Sequence, residues 1–373
     1  MQQNDITIIG AGVVGLSIAS QLSKFNQNIV AIEKNDSFGQ ESSSRNSEVI
    51  HSGLYYRSGS LKAQTCIQGN KLLYQLCLEQ GISFKRLGKL VVACNQDEVQ
   101  KIEAIYDNAL NSGVKNLNFL DPAELCRLEP QVRAKKVLFS PNSGIIDSHG
   151  LMNFLYNRAK QQGVTFSFLT EVVGIDKQSS GYKVMVKEPN GESFSFESKI
   201  VVNAAGLCSD KIAEMAGINI QAENYKLSYC KGQYFRIKKP EKFSIKHLVY
   251  PPATKIDLGI HVTPDLVGGL RLGPDAKYIS EIDYNIDETD KVNFYNSVKK
   301  ILPSLELEDL IPDTVGVRAK LQKEDEAFRD FVISEESQKG LPGFINLIGI
   351  ESPGLTACLA IAERVKIILE KYF

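Results

Sequence analysis

The chain lacks the spacings and runs that mark several protein classes. None of its seven cysteines, Cys66, Cys77, Cys94, Cys126, Cys208, Cys230 and Cys358, falls in a CxxC pair, so they are expected as reduced, mostly buried thiols and not as a disulfide framework or a zinc or iron–sulfur site. The four histidines also lack metal-ligand spacing, and no metal is expected. No apolar run reaches the length of a transmembrane helix, and the first residues enter a strand without a basic leader or cleavage site. The expected location is therefore cytoplasmic, with peripheral contact at the cytoplasmic face of a membrane left open. A net charge of -1 with 23% charged residues gives no electrostatic ground for binding nucleic acid. What the chain does have is length and apolar content: its 373 residues, 43% of them hydrophobic, exceed what one core usually holds, so two domains are expected.

Asp5-Ile6-Thr7-Ile8-Ile9 runs straight into Gly10-Ala11-Gly12-Val13-Val14-Gly15, and Glu33 closes the next apolar run, Ile29-Val30-Ala31-Ile32. A strand, a glycine-rich turn, a helix and a second strand ending in an acid form the setting in which GxGxxG binds a dinucleotide. Gly10 permits a tight turn, Gly12 lets a pyrophosphate approach the backbone, and Gly15 lets the helix pack closely on the sheet. Residues 13–23 carry the pattern of that helix, whose first amides would point at the phosphates. Glu33 is placed to accept from the adenosine ribose and to repel a 2′-phosphate, which favours a nicotinamide or flavin adenine dinucleotide. The structural alternative is a tight turn that serves only the fold.

Residues 39–60 are rich in glycine and serine with little periodicity, which suits a ligand-lining loop. A helical pattern over 61–80 ends at Gly81, followed by the strand Lys89-Leu90-Val91-Val92-Ala93, a helix over 96–112, and a short helix with Asp121 as cap and Pro122 in its first turn. Gly144-Ile145-Ile146-Asp147 and a helix over 151–162 lead back to the nucleotide domain. Runs at 165–169, 182–186 and 193–196 fit a β-meander. The strand Ile200-Val201-Val202-Asn203-Ala204 then meets Ala205 and Gly206, whose small size lets backbone approach a cofactor. Beyond a helix over 207–216, short strands at 229–237, 247–250, 259–263 and 267–272 and a helix over 287–302 suit a second, largely antiparallel domain. Finally Ile345-Asn346-Leu347-Ile348-Gly349 runs into Glu351-Ser352-Pro353-Gly354-Leu355-Thr356 and a helix over 357–369, a second strand-to-helix turn able to reach another part of a long cofactor. That reach favours FAD over NAD, which the first motif alone leaves open.

In this order the motifs resemble the FAD-dependent amino-acid oxidase superfamily, which includes glycine and D-amino-acid oxidases and glycerol-3-phosphate dehydrogenases. Nearer still is the L-2-hydroxyglutarate dehydrogenase or oxidase branch. The resemblance spans nearly the whole chain, from residues 8–15 through Ser44-Arg45-Asn46-Ser47-Glu48-Val49-Ile50-His51-Ser52-Gly53-Leu54-Tyr55-Tyr56, Asn203-Ala204-Ala205-Gly206, Lys231-Gly232-Gln233-Tyr234-Phe235 and Gly259-Ile260-His261-Val262-Thr263 to residues 349–356. Glu48 is one departure, standing where the family usually carries glycine. The implied fold is α/β with an α+β second domain: a Rossmann-like FAD-binding domain with a central parallel sheet and β-meander (1–82, 140–222 and 322–373) joined to a mostly antiparallel substrate-binding domain (83–139 and 223–321).

The resemblance implies oxidation of a small dicarboxylic 2-hydroxy acid, L-2-hydroxyglutarate, to 2-oxoglutarate by hydride transfer to flavin N5, with electrons passed to a quinone or an electron-carrier protein; dioxygen as acceptor, with release of hydrogen peroxide, belongs to the oxidase alternative. An oxidase of that substrate, an amino-acid oxidase, a glycerol-3-phosphate dehydrogenase and a non-catalytic nucleotide-dependent module stand as alternatives. His51 is the first choice of base, because imidazole titrates near the working pH; its alternatives are bracing the flavin ring or capping a helix. Arg318 can grip a carboxylate with two hydrogen bonds, or serve an interdomain ion pair. Tyr55 and Tyr56 can offer a phenol and an aromatic wall or be core residues, and His261 with Thr263 can form another wall or pair inside the core. Lys231, Gln233 and Tyr234 form a further candidate wall. The residues expected against the cofactor are Gly10, Gly12, Val13, Val14, Gly15, Glu33, Lys34, Arg45, Asn46, Ser47, Val172, Ala205, Gly206, Gly349, Pro353, Gly354, Leu355 and Thr356.

Overall fold

A computed structural model describes residues 3–25, 27–253 and 258–372. The chain folds into two compact, discontinuous units: Met1–Ser44, Ser148–Tyr229 and Arg318–Phe373 make the first, Arg45–Asp147 and Cys230–Val317 the second. This division differs from the boundaries expected from sequence. Segments 45–82 and 140–147 go with the second unit, because Val49–Ile50, Phe84–Lys85 and Gly144–Ile146 share a small antiparallel sheet.

The first unit is built on a parallel sheet. Its neighbours run Thr165–Ser167, Ile29–Ile32, Gln3–Ile9, Ser193–Asn203 and Phe344–Ile348, with Val332–Glu335 antiparallel at the edge. The two strands expected at 193–196 and 200–204 are one, Ser193–Asn203. Ser198 pairs with Tyr182 on one side and with Asn4 on the other, so the ladder continues through Glu197-Ser198-Lys199, where the apolar pattern breaks. The N-terminal half of that strand closes the meander with Tyr182–Lys187 and Glu171–Lys177. Helix Val13–Leu22 packs against helices Gly354–Leu369 and Ser148–Gln161. In Gly354–Leu369 the fully buried Ala357, Ile361, Val365 and Leu369 recur every four residues, the spacing that keeps one helix face on a core.

The second unit holds a nine-stranded sheet in the order Lys277–Ile279, Ser228–Ile237, Leu270–Leu272, Val262–Pro264, Leu248–Tyr250, Lys89–Ala93, Lys136–Ser140 and Asn118–Leu120, with Leu310–Lys320 beside Ser228–Ile237. Leu248–Tyr250 runs parallel to Lys89–Ala93, and Lys136–Ser140 runs antiparallel on its other side. Strand alternation sends Leu90 and Val92 into a core with Phe235, Val262 and Phe294, whereas Val91 and Ala93 face Val99 and Ile102 of helix Gln96–Asn111. Lys89 therefore lies on the Val91 face, buried inside the unit.

The local end signals work as sequence rules demand. Helix Leu61–Gln80 starts at Ser60, whose hydroxyl accepts from the Ala63 amide, and stops at Gly81 in the left-handed region. Asp121 and Glu124 form a capping box around helix Pro122–Leu128. The helix expected over 287–302 is shorter, a 3-10 turn Glu288–Asp290 followed by Lys291–Lys299.

Candidate functional site

The first unit contains a cradle shaped for a dinucleotide. Gly10 takes φ 101, and a Cβ there would sit 2.6 Å from the Ala204 carbonyl oxygen; a Cβ on Gly15 would meet the Gly10 oxygen at 2.0 Å. Backbone approach is thus as close as an elongated pyrophosphate-binding turn requires, and side chains are excluded from it. Val13 and Val14 open the helix, with the Val13 amide donating to Ser43 Oγ at 3.0 Å. Glu33 is buried at the end of Ile29–Ile32: its Oε2 accepts from the Ala11 amide at 2.9 Å, and its Oε1 accepts from the Asn35 backbone and side-chain nitrogens at 3.0 and 2.9 Å. A carboxylate has about four lone-pair sites, so this anchoring leaves it acceptor capacity toward a ribose hydroxyl.

A buried polar chain holds the next turn of the cradle. Asn203 donates to the Ser209 carbonyl at 2.7 Å and to Asn346 Oδ1 at 2.8 Å, while its own Oδ1 accepts from the Ala205 amide. Asn346 in turn donates to Glu336, which also takes bonds from Tyr225 and Lys339. Ala205 and Gly206 are thereby fixed at the C-terminal end of a central parallel strand, where α/β sheets bind ligands. Gly349 and Pro353 lead into helix Gly354–Leu369, which starts at Gly354 and takes in Leu355 and Thr356. Lys320 pairs with Glu351 at 3.1 Å in this turn, both side chains almost fully buried. Lys34 is exposed and pairs with Glu41 at 3.1 Å, and Val172 is buried in the meander opposite Val186. The residues present fit an adenine dinucleotide.

A second constellation, entirely inside the second unit, gathers His51, Tyr55, Tyr250, His261, Thr263 and Lys89. Lys89 Nζ lies 3.4 Å from His51 Nδ1, 3.7 Å from the centroid of the Tyr250 ring and 5.4 Å from that of Tyr55. The Tyr250 ring is stacked on His261, centroids 3.7 Å apart. His261 Nδ1 is 2.8 Å from the Gly259 carbonyl oxygen, so this nitrogen carries the proton and donates. The His51 carbonyl is held by Asn70 Nδ2 at 2.9 Å, which fixes the loop to helix Leu61–Gln80. The hydroxyls of Tyr55, Tyr250 and Thr263 are buried without a hydrogen bond of regular geometry among the described residues.

Burial governs the protonation of this cluster. It drives the His51 imidazole well below its ordinary value, with the Lys89 and His261 charges acting in the same direction. It pushes the Lys89 ammonium down to about 7, with Cys66 acting in the opposite direction. The same desolvation raises the phenols of Tyr55 and Tyr250 and the thiol of Cys66. At neutral pH the site thus holds a neutral imidazole next to a half-titrated amine.

The remaining expected residues are dispersed or committed elsewhere. Tyr56 packs on Ala63 and Cys66. Arg45, Asn46 and Ser47 begin the second unit, and the Arg45 guanidinium lies 4.3 Å over the Tyr284 ring. Glu48 has φ 56, the left-handed conformation for which glycine is suited, which accounts for the glycine of the family pattern and leaves the glutamate here without a structural explanation. Arg318 is half-buried and opens the last segment of the first unit. Of the further wall, Lys231 is paired with Asp283, and Gln233 bonds Asp290 and the Asp287 amide. These bonds tie strand Ser228–Ile237 to the segment after Lys277–Ile279. Lys89 was not legible as a site residue: it opens an apolar strand, and its one signal is a charge in a five-residue run buried throughout.

Comparisons with known proteins agree with the cradle. The FAD dependent oxidoreductase family matches residues 5–366, and the chain belongs to that family. It is 35% identical over 398 residues to the mitochondrial L-2-hydroxyglutarate dehydrogenase of Arabidopsis thaliana, covering 97% of this chain and 82% of the relative. To the glycerol 3-phosphate dehydrogenase of Caloramator mitchellensis it is 33% identical, covering 98% of this chain and 74% of that one. Its fold matches that of the FAD-bound L-α-glycerophosphate oxidase of Mycoplasma pneumoniae with a TM-score of 0.88 and 28% identity, covering 99% of this chain and 95% of that one. The protein is an FAD-dependent oxidoreductase of two domains.

The expected cytoplasmic location is corrected. The L-2-hydroxyglutarate dehydrogenases of Arabidopsis thaliana and Homo sapiens, similar to this chain over 97% of its length, are named as mitochondrial, which points away from the cytoplasm. Composition reports on a folded surface in water and does not distinguish one aqueous compartment from another. Among the described residues no helix is long and apolar enough to cross a membrane.

Proposed function

We propose that this FAD-dependent oxidoreductase oxidises the secondary alcohol of glycerol 3-phosphate to the ketone, with dioxygen as the final electron acceptor. The observation that carries this reading is the buried His51–Lys89 pair in the second unit. A secondary alcohol must release its hydroxyl proton as the electrons of its C–H bond leave, and an imidazole held neutral by burial takes that proton at neutral pH. Bound FAD supplies the two-electron acceptor for this chemistry. Tyr250 and His261, stacked face to face, stiffen the surroundings of the pair, and the buried Tyr55 and Thr263 hydroxyls offer polar contacts to a substrate. Glycerol 3-phosphate as substrate is supported by the TM-score of 0.88 to the M. pneumoniae oxidase and by the C. mitchellensis relative.

A second reading is favoured by the 35% identity to the A. thaliana enzyme: L-2-hydroxyglutarate, which carries the same secondary alcohol but two carboxylates in place of a phosphate. Purified FAD-loaded protein mixed anaerobically with glycerol 3-phosphate, L-2-hydroxyglutarate, its D enantiomer or glycine separates these readings by loss of flavin absorbance. Bleaching by glycerol 3-phosphate, followed by peroxide release in air, is the expected result. Bleaching by L-2-hydroxyglutarate alone replaces the substrate with the second reading, bleaching by glycine moves it to the amino-acid class, and bleaching without peroxide replaces dioxygen with a quinone or a carrier protein.

A further inference from the structure

We propose that Lys89 is a positioning residue behind His51 and the final holder of the substrate's hydroxyl proton. The inference rests on the reading of His51 as the base. The geometry that carries it is the 3.4 Å approach of Lys89 Nζ to His51 Nδ1, a long hydrogen bond between two buried nitrogens. Only one arrangement of protons across this contact leaves His51 able to act. When Lys89 is an ammonium it donates to Nδ1, so a neutral imidazole keeps its proton on Nε2 and has no lone pair there for a substrate. When Lys89 is an amine, Nδ1–H donates to it, and Nε2 is an acceptor.

From the second arrangement the step balances. The substrate O–H bond breaks as an N–H bond forms at His51 Nε2. The Nδ1–H bond breaks as a third N–H bond forms at Lys89 Nζ. The C2 hydrogen leaves with its electron pair, so the alcohol is oxidised by two electrons, which bound FAD would accept as the oxidant. His51 ends neutral with its proton on Nε2, and Lys89 ends as an ammonium.

The surroundings suit a proton that arrives and leaves. Among the described residues, the titratable groups packed against the pair are Cys66 from helix Leu61–Gln80, Tyr250 from its strand, Tyr55 from the loop after His51, and His261. Burial keeps both phenols and the thiol protonated and neutral, so none supplies a fixed counter-charge that would lock Lys89 as an ammonium. The ring faces of Tyr250 and Tyr55 receive the ammonium once formed, through cation–π attraction. Burial brings the amine to about 7 while leaving the imidazole lower, so the proton runs downhill from His51 to Lys89.

The first test needs no substrate and reads the wild-type protein. In wild-type protein labelled with ¹⁵N-histidine, the His51 signals, assigned by their loss in His51→Asn, should shift from the Nε2–H form to the Nδ1–H form as pH rises through about 7. A tautomer constant from pH 5.5 to 9.5 would overturn the proposal, and this holds even if glycerol 3-phosphate and L-2-hydroxyglutarate both fail to reduce the flavin. With whichever substrate bleaches the flavin, Lys89→Met should lower the reduction rate about 100-fold, the range of lost acid–base assistance, and erase the limb of the pH profile near 7. Lys89→Arg should not restore it, because a guanidinium keeps the charge but does not titrate. Rescue by arginine, or a raised KM with unchanged kcat in Lys89→Met, would assign Lys89 to substrate charge binding and refute the proton role.

Discussion

Replacing Lys89 by methionine should stabilise the folded chain at neutral pH, against the usual direction for a core substitution. Burial holds the Lys89 ammonium at about 7 in place of its ordinary 10.5. At about 1.4 kcal/mol per pH unit, that gap is a penalty on the order of 4–5 kcal/mol at pH 7. Methionine has a similar unbranched length and no charge, so the expected gain is on the order of 4 kcal/mol. The pH dependence carries the sign. The folded pKa lies below the unfolded one, so between about 7 and 10.5 the unfolded chain binds a proton that the folded chain does not. Wild-type stability therefore rises with pH across this window, and the full penalty applies below 7. Urea unfolding of both proteins should show the variant's advantage shrinking by about 2 kcal/mol from pH 7 to pH 9. A variant less stable than wild type at pH 7, or an advantage that does not change with pH, would refute the desolvation argument.

Three further outcomes follow from the same geometry. Gly10→Ala places a Cβ 2.6 Å from the Ala204 carbonyl oxygen at φ 101, so it should cost about 1–3 kcal/mol and lower the FAD content of the purified protein; full FAD occupancy with unchanged melting would count against the tight-turn reading. Glu33→Gln weakens the carboxylate's bond to the Ala11 amide, and a loss of about 1.5–3 kcal/mol split between folding and FAD affinity is expected by thermal melting and flavin titration. His51→Asn should slow anaerobic flavin reduction by roughly 10²- to 10⁴-fold while leaving bound FAD and melting temperature nearly unchanged; a normal reduction rate would move the base to another group, with His261 next in line because its Nδ1 is already committed to a carbonyl.

The features legible in the sequence are those decided by a few adjacent residues. The Gly10–Gly15 turn needs only its own glycines and the flanking apolar strand, and the acid at the end of the next strand lies one helix away. Gly81 and Asp121 mark helix ends because caps satisfy backbone groups within one turn. Tertiary structure decided what these signals do not encode. Strand Ser193–Asn203 runs unbroken because partners on both sides complete its ladder through a polar stretch, and residues 45–82 join the second unit through strand pairs distant in sequence. Lys89 is the clearest case. In sequence it is an ordinary charge before an apolar strand. Folding brings it against His51 from another segment and the Tyr250 ring from a third, and the loss of water there turns a fixed cation into a group that titrates near neutrality. Capping and turn geometry act over a few residues, whereas desolvation sums over everything packed around a group, so only the completed fold sets it.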